Sequence, residues 1–105
     1  MNEAHLNENA VRSEAERHAK ATVAGDFRTA GSSLTEAARN QAGDVMKAMP
    51  GTLTACEIAG TLEDGDGHLM VDILYTGESG QVTVRSTWDD VEGTLMITNL
   101  EVLEG

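Results

Sequence analysis

Residues 68–103 read HLMVDILYTGESGQVTVRSTWDDVEGTLMITNLEVL, and apolar and polar side chains alternate through most of this stretch. Alternation with a period of two is typical of strands that bury one face. Short Gly-containing links interrupt it, and links of that length join antiparallel neighbours as hairpins. A similar alternating segment precedes it, so the pattern predicts a four-stranded antiparallel meander. The predicted strands are Thr52–Glu63, His68–Thr76, Gln81–Asp89 and Thr94–Leu103.

Each predicted hairpin can be folded about its turn to test the register, because a slip of one residue exchanges the two faces of a strand. With a three-residue third loop and Gly93 in the left-handed conformation, Trp88 lies opposite Met96 and Val84 lies opposite Leu100. The three hairpins then give one consistent apolar face, which we assign to the helices. This face carries Cys56, Ile58, Leu62, Leu69, Val71, Ile73, Tyr75, Val82, Val84, Trp88, Met96, Leu100 and Val102.

The first fifty residues are rich in Ala, Glu and Arg, which favour helices. Helices are predicted at Ala10–Ala24, Phe27–Ser33 and Glu36–Met49, with Asp26 and Thr35 as N-caps. The fold class is therefore α+β, a single domain over residues 1–105 with N-terminal helices packed on the meander, and residues 1–9 are expected to fray.

The chain has 105 residues, 7 Lys and Arg and 18 Asp and Glu, for a formal net charge of −11. This balance argues against nucleic acid and against anionic membrane surfaces as partners, since both require a basic face. No apolar run is long enough to span a membrane, and the one cysteine excludes an internal disulfide. We expect a cytoplasmic protein with no cofactor.

The reverse face of the predicted sheet is more apolar than a solvated face should be. A second copy of the chain, related by a two-fold axis, is the simplest cover for such a face. Asp72 and Arg85 lie opposite each other there and are predicted to form a cross-strand ion pair. The predicted homodimer face comprises Met70, Asp72, Leu74, Arg85, Leu95 and Ile97.

Two segments carry a family resemblance. Residues 15–19 (AERHA) followed by residues 23–27 (VAGDF) resemble the first helix and the following turn of the nuclear transport factor 2-like superfamily, which includes the SnoaL-like proteins. Residues 92–102 (EGTLMITNLEV) are similar to its closing hairpin. The resemblance implies a curved sheet, a cone-like half barrel, with helices closing over a pocket and dimers forming through the other sheet face. The fold hosts both enzymes and binding proteins, so it does not choose a function.

A purely structural oligomerisation domain would have no cavity and a large sheet-to-sheet interface, and two functions that use a pocket are the main alternatives to it. One is a dimeric binding or accessory domain that holds a small apolar ligand or a partner protein. The other is an isomerase, cyclase or dehydratase acting on a small carbonyl compound, with His18 as general base and Tyr75 as donor. The pocket side of the sheet carries no strand carboxylate, which favours the binding domain. The predicted pocket lining is Cys56, Tyr75, Ser86, Trp88 and Thr98.

The first and third turns are acidic and are expected at the same end of the meander. Their carboxylates are Glu63, Asp64, Asp66, Asp89, Asp90 and Glu92. Residues 64–68 (DGDGH) fail the calcium-loop pattern, and Asp and Gly suit tight turns for backbone reasons. We therefore interpret these carboxylates as a solvated rim and predict no metal site.

Overall fold

The computed structural model describes residues 8–63 and 68–103. The helices are α1 (Glu8–Ala24), α2 (Phe27–Gly31) and α3 (Glu36–Lys47), and the strands are β1 (Leu53–Glu63), β2 (Leu69–Gly77), β3 (Gly80–Val91) and β4 (Thr94–Leu103). The strands form one antiparallel sheet in the order β1-β2-β3-β4. The α+β class and the meander are confirmed. The link at residues 64–67 and the N-terminal residues 1–7 lie outside the described residues.

The helix boundaries follow local capping chemistry. Gly25 ends α1 with a φ of 80°, a conformation that costs glycine little because it has no Cβ. The side chains of Asp26 and Thr35 each accept a hydrogen bond from a backbone N–H in the first turn of α2 and α3. α1 begins at Glu8, so Glu8 and Asn9 are helical and the predicted fraying does not extend to them. No helix of the described ranges is long and apolar enough to cross a membrane.

The core lies between the helices and one face of the sheet. α1 packs on β1 and β2, whereas α3 packs on β4. On this one face, the helices therefore cover the two edges of the sheet more closely than its middle. Small residues on the inner helix faces let the helices approach the strands. The core cluster consists of Val11, Ala15, Ala19, Leu34, Ala38, Val45, Val71, Ile73, Tyr75, Val84, Trp88 and Ile97.

A β-bulge in β1 moves one predicted core residue to the outer face. The pairing shifts between Ile58 and Gly60, so that Leu62 lies opposite Met70 and not opposite Leu69. Because a one-residue shift exchanges the faces of a strand, Leu62 turns away from the helices and is 43% exposed. Gly60 at the bulge is a typical glycine position in a strand.

A second correction concerns β4. Glu92 and Gly93 have φ values of 54° and 87°, as in a two-residue type I′ hairpin turn, and not the three-residue loop that was predicted. Trp88 is therefore opposite Ile97, and a bulge restores the predicted inner face for Leu100 further along the strand.

The new register changes the membership of the outer face. Ile97 is 0% exposed in the core, and Leu95 packs against the core. Neither residue therefore belongs to the outer face, where the predicted register had placed them as part of a dimer contact. Met96, which was predicted to face the helices, lies opposite Asp89 and so shares the outer face with it.

The free edge of β4 is covered by the segment that leads into α3. The backbone N–H of Ile97 donates to the carbonyl oxygen of Ser33 (2.7 Å), and the N–H of Thr35 donates to the carbonyl of Ile97 (3.0 Å). Further along, the Gln41 amide oxygen accepts from the N–H of Leu100 (2.7 Å). These contacts satisfy strand groups that would otherwise be open to another chain, and they fix α3 against β4.

The predicted ion pair on the outer face is confirmed. Asp72 and Arg85 are register partners on β2 and β3. The Arg85 guanidinium donates from Nε to Oδ1 of Asp72 (2.8 Å) and from Nη2 to Oδ2 (3.0 Å). The hydrogen bonds to Asp72 raise the pKa of Arg85, so the guanidinium stays charged. Bidentate geometry of this kind fixes orientation as well as charge.

Candidate functional site

A pocket of about 310 Å³ opens between the three helices. Tyr75 of β2 and Val84 of β3 contribute to it from the sheet. The other lining residues are mostly apolar or small: His18, Thr22, Phe27, Ala30, Gly31, Leu34, Arg39, Ala42, Gly43, Val45, Met46, Met49 and Leu100. The volume lies at the lower end of the range typical of small-molecule sites.

Small residues on facing helices account for this space. Ala30 and Gly31 line the pocket from α2, and Ala42 and Gly43 line it from α3. A Cβ added at Gly31 or Gly43 would meet no heavy atom within 4 Å. The side chains at these positions are therefore too small to fill the gap, which leaves room for a bound molecule.

His18 is a polar group deep in the pocket. It is 8% exposed, and its Nδ1 lies 3.0 Å from the carbonyl oxygen of Ala30. A carbonyl only accepts, so Nδ1 carries the proton and Nε2 carries a lone pair. Burial lowers the pKa of His18 below its ordinary value, and the hydrogen bond to Ala30 opposes this only in part. The imidazole is therefore a neutral acceptor at pH 7.

Tyr75 is a second polar group in the pocket, and Thr22 is a third. Tyr75 is 2% exposed, and burial raises its pKa to about 12, partly offset by a hydrogen bond with the Thr22 side chain. Thr22 in turn donates from Oγ1 to the carbonyl oxygen of His18 (2.9 Å). Tyr75 thus stays protonated, and the pocket combines a neutral acceptor with a neutral hydroxyl.

The pocket has an apolar mouth with a continuation beyond it. Phe27 is 55% exposed and Met46 is 40% exposed. Both also line a second pocket of about 310 Å³, which shares Thr22 and Met49 with the first and continues to Leu53 at the start of β1. The two pockets together form an apolar groove beside the C-terminal half of α3.

Two residues predicted to line the pocket are buried in the core instead. Trp88 and Ser86 are both 0% exposed. The Trp88 Nε1–H donates to Ser86 Oγ (2.9 Å), and Ser86 Oγ donates to the carbonyl oxygen of Val71 (2.9 Å). Their polar atoms satisfy each other, so none is left for a ligand. Both side chains point to the helices as predicted, but they do not line the pocket.

The other two predicted lining residues also lie elsewhere. Thr98 sits at the β4 bulge, where its hydroxyl is 3.4 Å from the carbonyl oxygen of Thr87. Cys56 lines a separate, charged pocket beside Arg12, Glu16 and Lys20. Burial raises the pKa of the Cys56 thiol, which leaves it a poor nucleophile. Of the predicted site residues, the structure brings together only His18 and Tyr75.

Several lining residues were not predicted from the sequence. Phe27 is one of the three aromatic residues of the chain, beside Tyr75 and Trp88. It lies exposed at the start of a helix, which is unusual for a large apolar side chain. Met46 and Met49 lie within the predicted third helix, Glu36–Met49, but the space beside them was not predicted. Arg39 gave no signal, because one basic residue on a helix is ordinary.

The acidic turns show backbone roles where they are described. Oδ1 of Asp89 accepts from the backbone N–H of Asp90 (2.8 Å), and Oδ1 of Asp90 accepts from the N–H of Gly93 (2.7 Å). Asp64 and Asp66 lie outside the described residues. Within residues 8–63 and 68–103, no group of His, Cys, Asp or Glu side chains could hold a metal ion.

Comparison with known proteins finds no relative of this chain. No family model matches it, and no curated protein or solved structure matches it either.

The lowered pKa of His18 predicts a pH-dependent stability. Unfolding returns His18 to its ordinary value of 6.5, so between its folded pKa and that value the unfolded chain binds more protons. The free energy of unfolding then has its full value above the unfolded pKa. It falls as the pH drops below that pKa, by at most about 1.4 kcal/mol per pH unit. Urea unfolding of the wild type at about pH 7.5 and about pH 5.5 measures this loss.

Two variants isolate the cause. His18→Asn keeps a donor for the carbonyl of Ala30 without the titration, so it should lose the pH dependence in this window. His68→Asn removes a more exposed histidine, whose side chain is 37% exposed, and should keep it. An unchanged pH dependence in His18→Asn would contradict the assignment to His18.

Proposed function

We propose that this chain is a small binding domain of the nuclear transport factor 2-like kind, which holds a small, largely apolar ligand between its helices and its sheet. The observation that carries the proposal is the pocket, whose walls are apolar and whose deep polar groups, among them His18 and Tyr75, are neutral. A site of this composition favours molecules that are mostly apolar and offer one group to a hydrogen bond. The β-bulges in the pairings of β1 and β4 support a curved, cone-like sheet around the pocket, because bulges bend strands.

The position of Gly43 supports the proposal and offers a test. A leucine there would extend into open space, since nothing lies within 4 Å of its Cβ position. Glycine inside a helix costs about 1 kcal/mol relative to alanine, so Gly43→Ala and Gly43→Leu should both stabilise α3. Only Gly43→Leu should reduce the volume of the pocket substantially.

We expect the neutral fluorophore N-phenylnaphthylamine to bind the wild-type protein and to gain fluorescence as it leaves water. Gly43→Leu should weaken this binding about tenfold, in line with about 1–2 kcal/mol for lost or clashing apolar contact. Gly43→Ala should bind nearly as well as the wild type, and it serves as the control for helix stabilisation. Equal binding by all three proteins, or no binding by the wild type, would contradict the proposal.

An enzymatic function in the same pocket is the second candidate. His18 Nε2 carries a lone pair and the Tyr75 hydroxyl keeps its proton, which are the states that a general base and a donor need. However, His18 bonds to the carbonyl of Ala30 and not to Tyr75 or Ser86, and no carboxylate lines the pocket among the described residues. These observations make binding the better supported function.

We also propose that the chain forms a homodimer through the outer sheet face. With the corrected register, the apolar side chains of this face include Leu62, Met70, Leu74, Met96 and Leu103. They surround the Asp72–Arg85 ion pair, and a face of this kind matches a second copy of itself about a two-fold axis.

Light scattering at micromolar concentration tests the dimer. We expect twice the chain mass for the wild type. Leu74→Lys should give the monomer mass, because a buried unpaired charge would destabilise the contact. Thr54→Lys, at an exposed position near the start of β1, is the control and should remain dimeric. A monomeric wild type would refute the proposal.

A further inference from the structure

We propose that the ligand of the pocket is an amphiphilic carboxylate, an apolar chain with a single anionic head group, and that the head group binds at Arg39. This inference rests on the proposed binding function and names the ligand class. It is carried by the position of one basic side chain at one end of an apolar groove.

Arg39 lies in the first half of α3 and lines the pocket. Its Nη2 is 3.4 Å from the carbonyl oxygen of Gly31, a long contact that holds the guanidinium over the α2 side of the pocket. Within the described residues, the salt bridges do not include Arg39. The guanidinium has five donors, so most of them remain available to a carboxylate, which is the partner that its planar geometry suits best.

The groove extends away from Arg39 in the direction of α3. Arg39, Gly43, Met46 and Met49 all line it. Helix geometry puts about 10 Å between Arg39 and Met46, and Met49 lies just beyond the end of α3 at Lys47. Beyond Met46 and Met49 the second pocket continues to Leu53. One end of the site is therefore basic and the other is apolar, which matches a molecule with a charged head and an apolar tail.

The charge of the lining favours an anion over a cation. The chain has 18 Asp and Glu residues, yet none of them lines either pocket of the groove among the described residues. Arg39 is the one charged lining residue there, because His18 is neutral. A cationic head group would find no counter-ion in the groove, whereas an anionic one would find the guanidinium.

The acidity of the whole chain does not oppose this arrangement. Residues 1–50, which supply most of the lining, carry six basic and seven acidic side chains, and residues 51–105 carry one basic and eleven acidic. Several of the latter, such as Asp72 and Asp89, lie on the outer face of the sheet. The helical side of the molecule is thus close to neutral, and charges beyond about 10 Å are largely screened at physiological salt.

Displacement of N-phenylnaphthylamine tests the inference. In the wild type at pH 8, decanoate should displace the fluorophore at a concentration about three- to tenfold lower than decanol, which has the same chain length and no charge. This is the range expected for one charge-assisted contact that is partly open to solvent. Decylammonium should be the weakest competitor of the three.

Variants identify the residue. Arg39→Gln should remove the preference for decanoate over decanol while leaving the fluorophore bound, and Arg39→Lys should recover part of it. Arg28→Gln removes the same charge from an exposed α2 position that does not line the groove, and it should keep the preference. Circular dichroism verifies that the variants are folded.

The outcomes separate the two proposals. If the fluorophore binds but the wild type shows no preference for decanoate, or if Arg39→Gln and Arg28→Gln behave alike, the carboxylate inference is overturned and the binding function stands. If the fluorophore does not bind to the wild type, the proposed function itself fails.

Discussion

Replacing Trp88 with alanine should destabilise the protein by about 3–5 kcal/mol, the range measured for truncating a buried aromatic side chain. Trp88 is 0% exposed and is the largest side chain of the core cluster. The substitution would also remove the hydrogen bond that Nε1 donates to Ser86 Oγ (2.9 Å). Since domains of this size have about 5–15 kcal/mol of stability in total, the variant should lose a large share of its free energy of unfolding.

Urea unfolding followed by circular dichroism measures this loss. Phe27→Ala is the control, because it truncates an aromatic side chain that is 55% exposed and should cost less than about 1 kcal/mol. Trp88→Phe keeps most of the apolar surface and should fall between the two. A loss below about 1 kcal/mol for Trp88→Ala would mean that Trp88 does not lie in the core.

Replacing Gly77 with alanine should cost about 1–3 kcal/mol, as expected for overpacking in a well-packed region. A Cβ at this position would collide with the backbone carbonyl oxygen of Pro50 and would lie 3.0 Å from its carbonyl carbon. The backbone of the link between α3 and β1 would have to move. That movement would weaken the hydrogen bond from the N–H of Ser79 to the same carbonyl oxygen (3.0 Å).

Gly60→Ala is the matched control. Gly60 also lies in a strand, but a Cβ there would meet nothing within 4 Å, and a glycine replaced without strain leaves stability unchanged or raises it by about 0.4–1 kcal/mol. Thermal unfolding of both variants gives the comparison. Equal midpoints for Gly77→Ala and Gly60→Ala would contradict the close approach of Pro50 to Gly77.

The secondary structure could be predicted from the sequence because its signals are local. Asp26 and Thr35 cap helices, Gly25 ends one, and the alternating pattern defines four strands. The faces of β1 and β4 could be predicted only in part, since a single extra residue reverses a face. Gly60 did offer a signal, because a lone glycine in a strand pattern often marks a bulge. The Glu92–Gly93 turn offered less, as glutamate is not a usual first residue of a type I′ turn.

The site was harder to predict because it depends on a cavity between elements, and no sequence pattern predicts such a cavity. His18 and Tyr75 were identified from their chemistry and register. The pocket beside them is lined by the small residues Gly31 and Gly43 from two different helices, and helix spacing is not a local property of the sequence. Ser86 has the chemistry of a ligand contact, but it instead satisfies the buried Trp88 N–H.

An NMR titration of the isotope-labelled protein with N-phenylnaphthylamine tests the central claim, that the gap between helices and sheet is a binding site. We predict shifts of backbone amide signals in the C-terminal half of α1, in α2 and in α3, together with a shift of the His18 ring signals. Residues of the outer sheet face, such as Arg85 and Thr87, should not respond. An absence of shifts, or shifts confined to the outer face, would contradict the account.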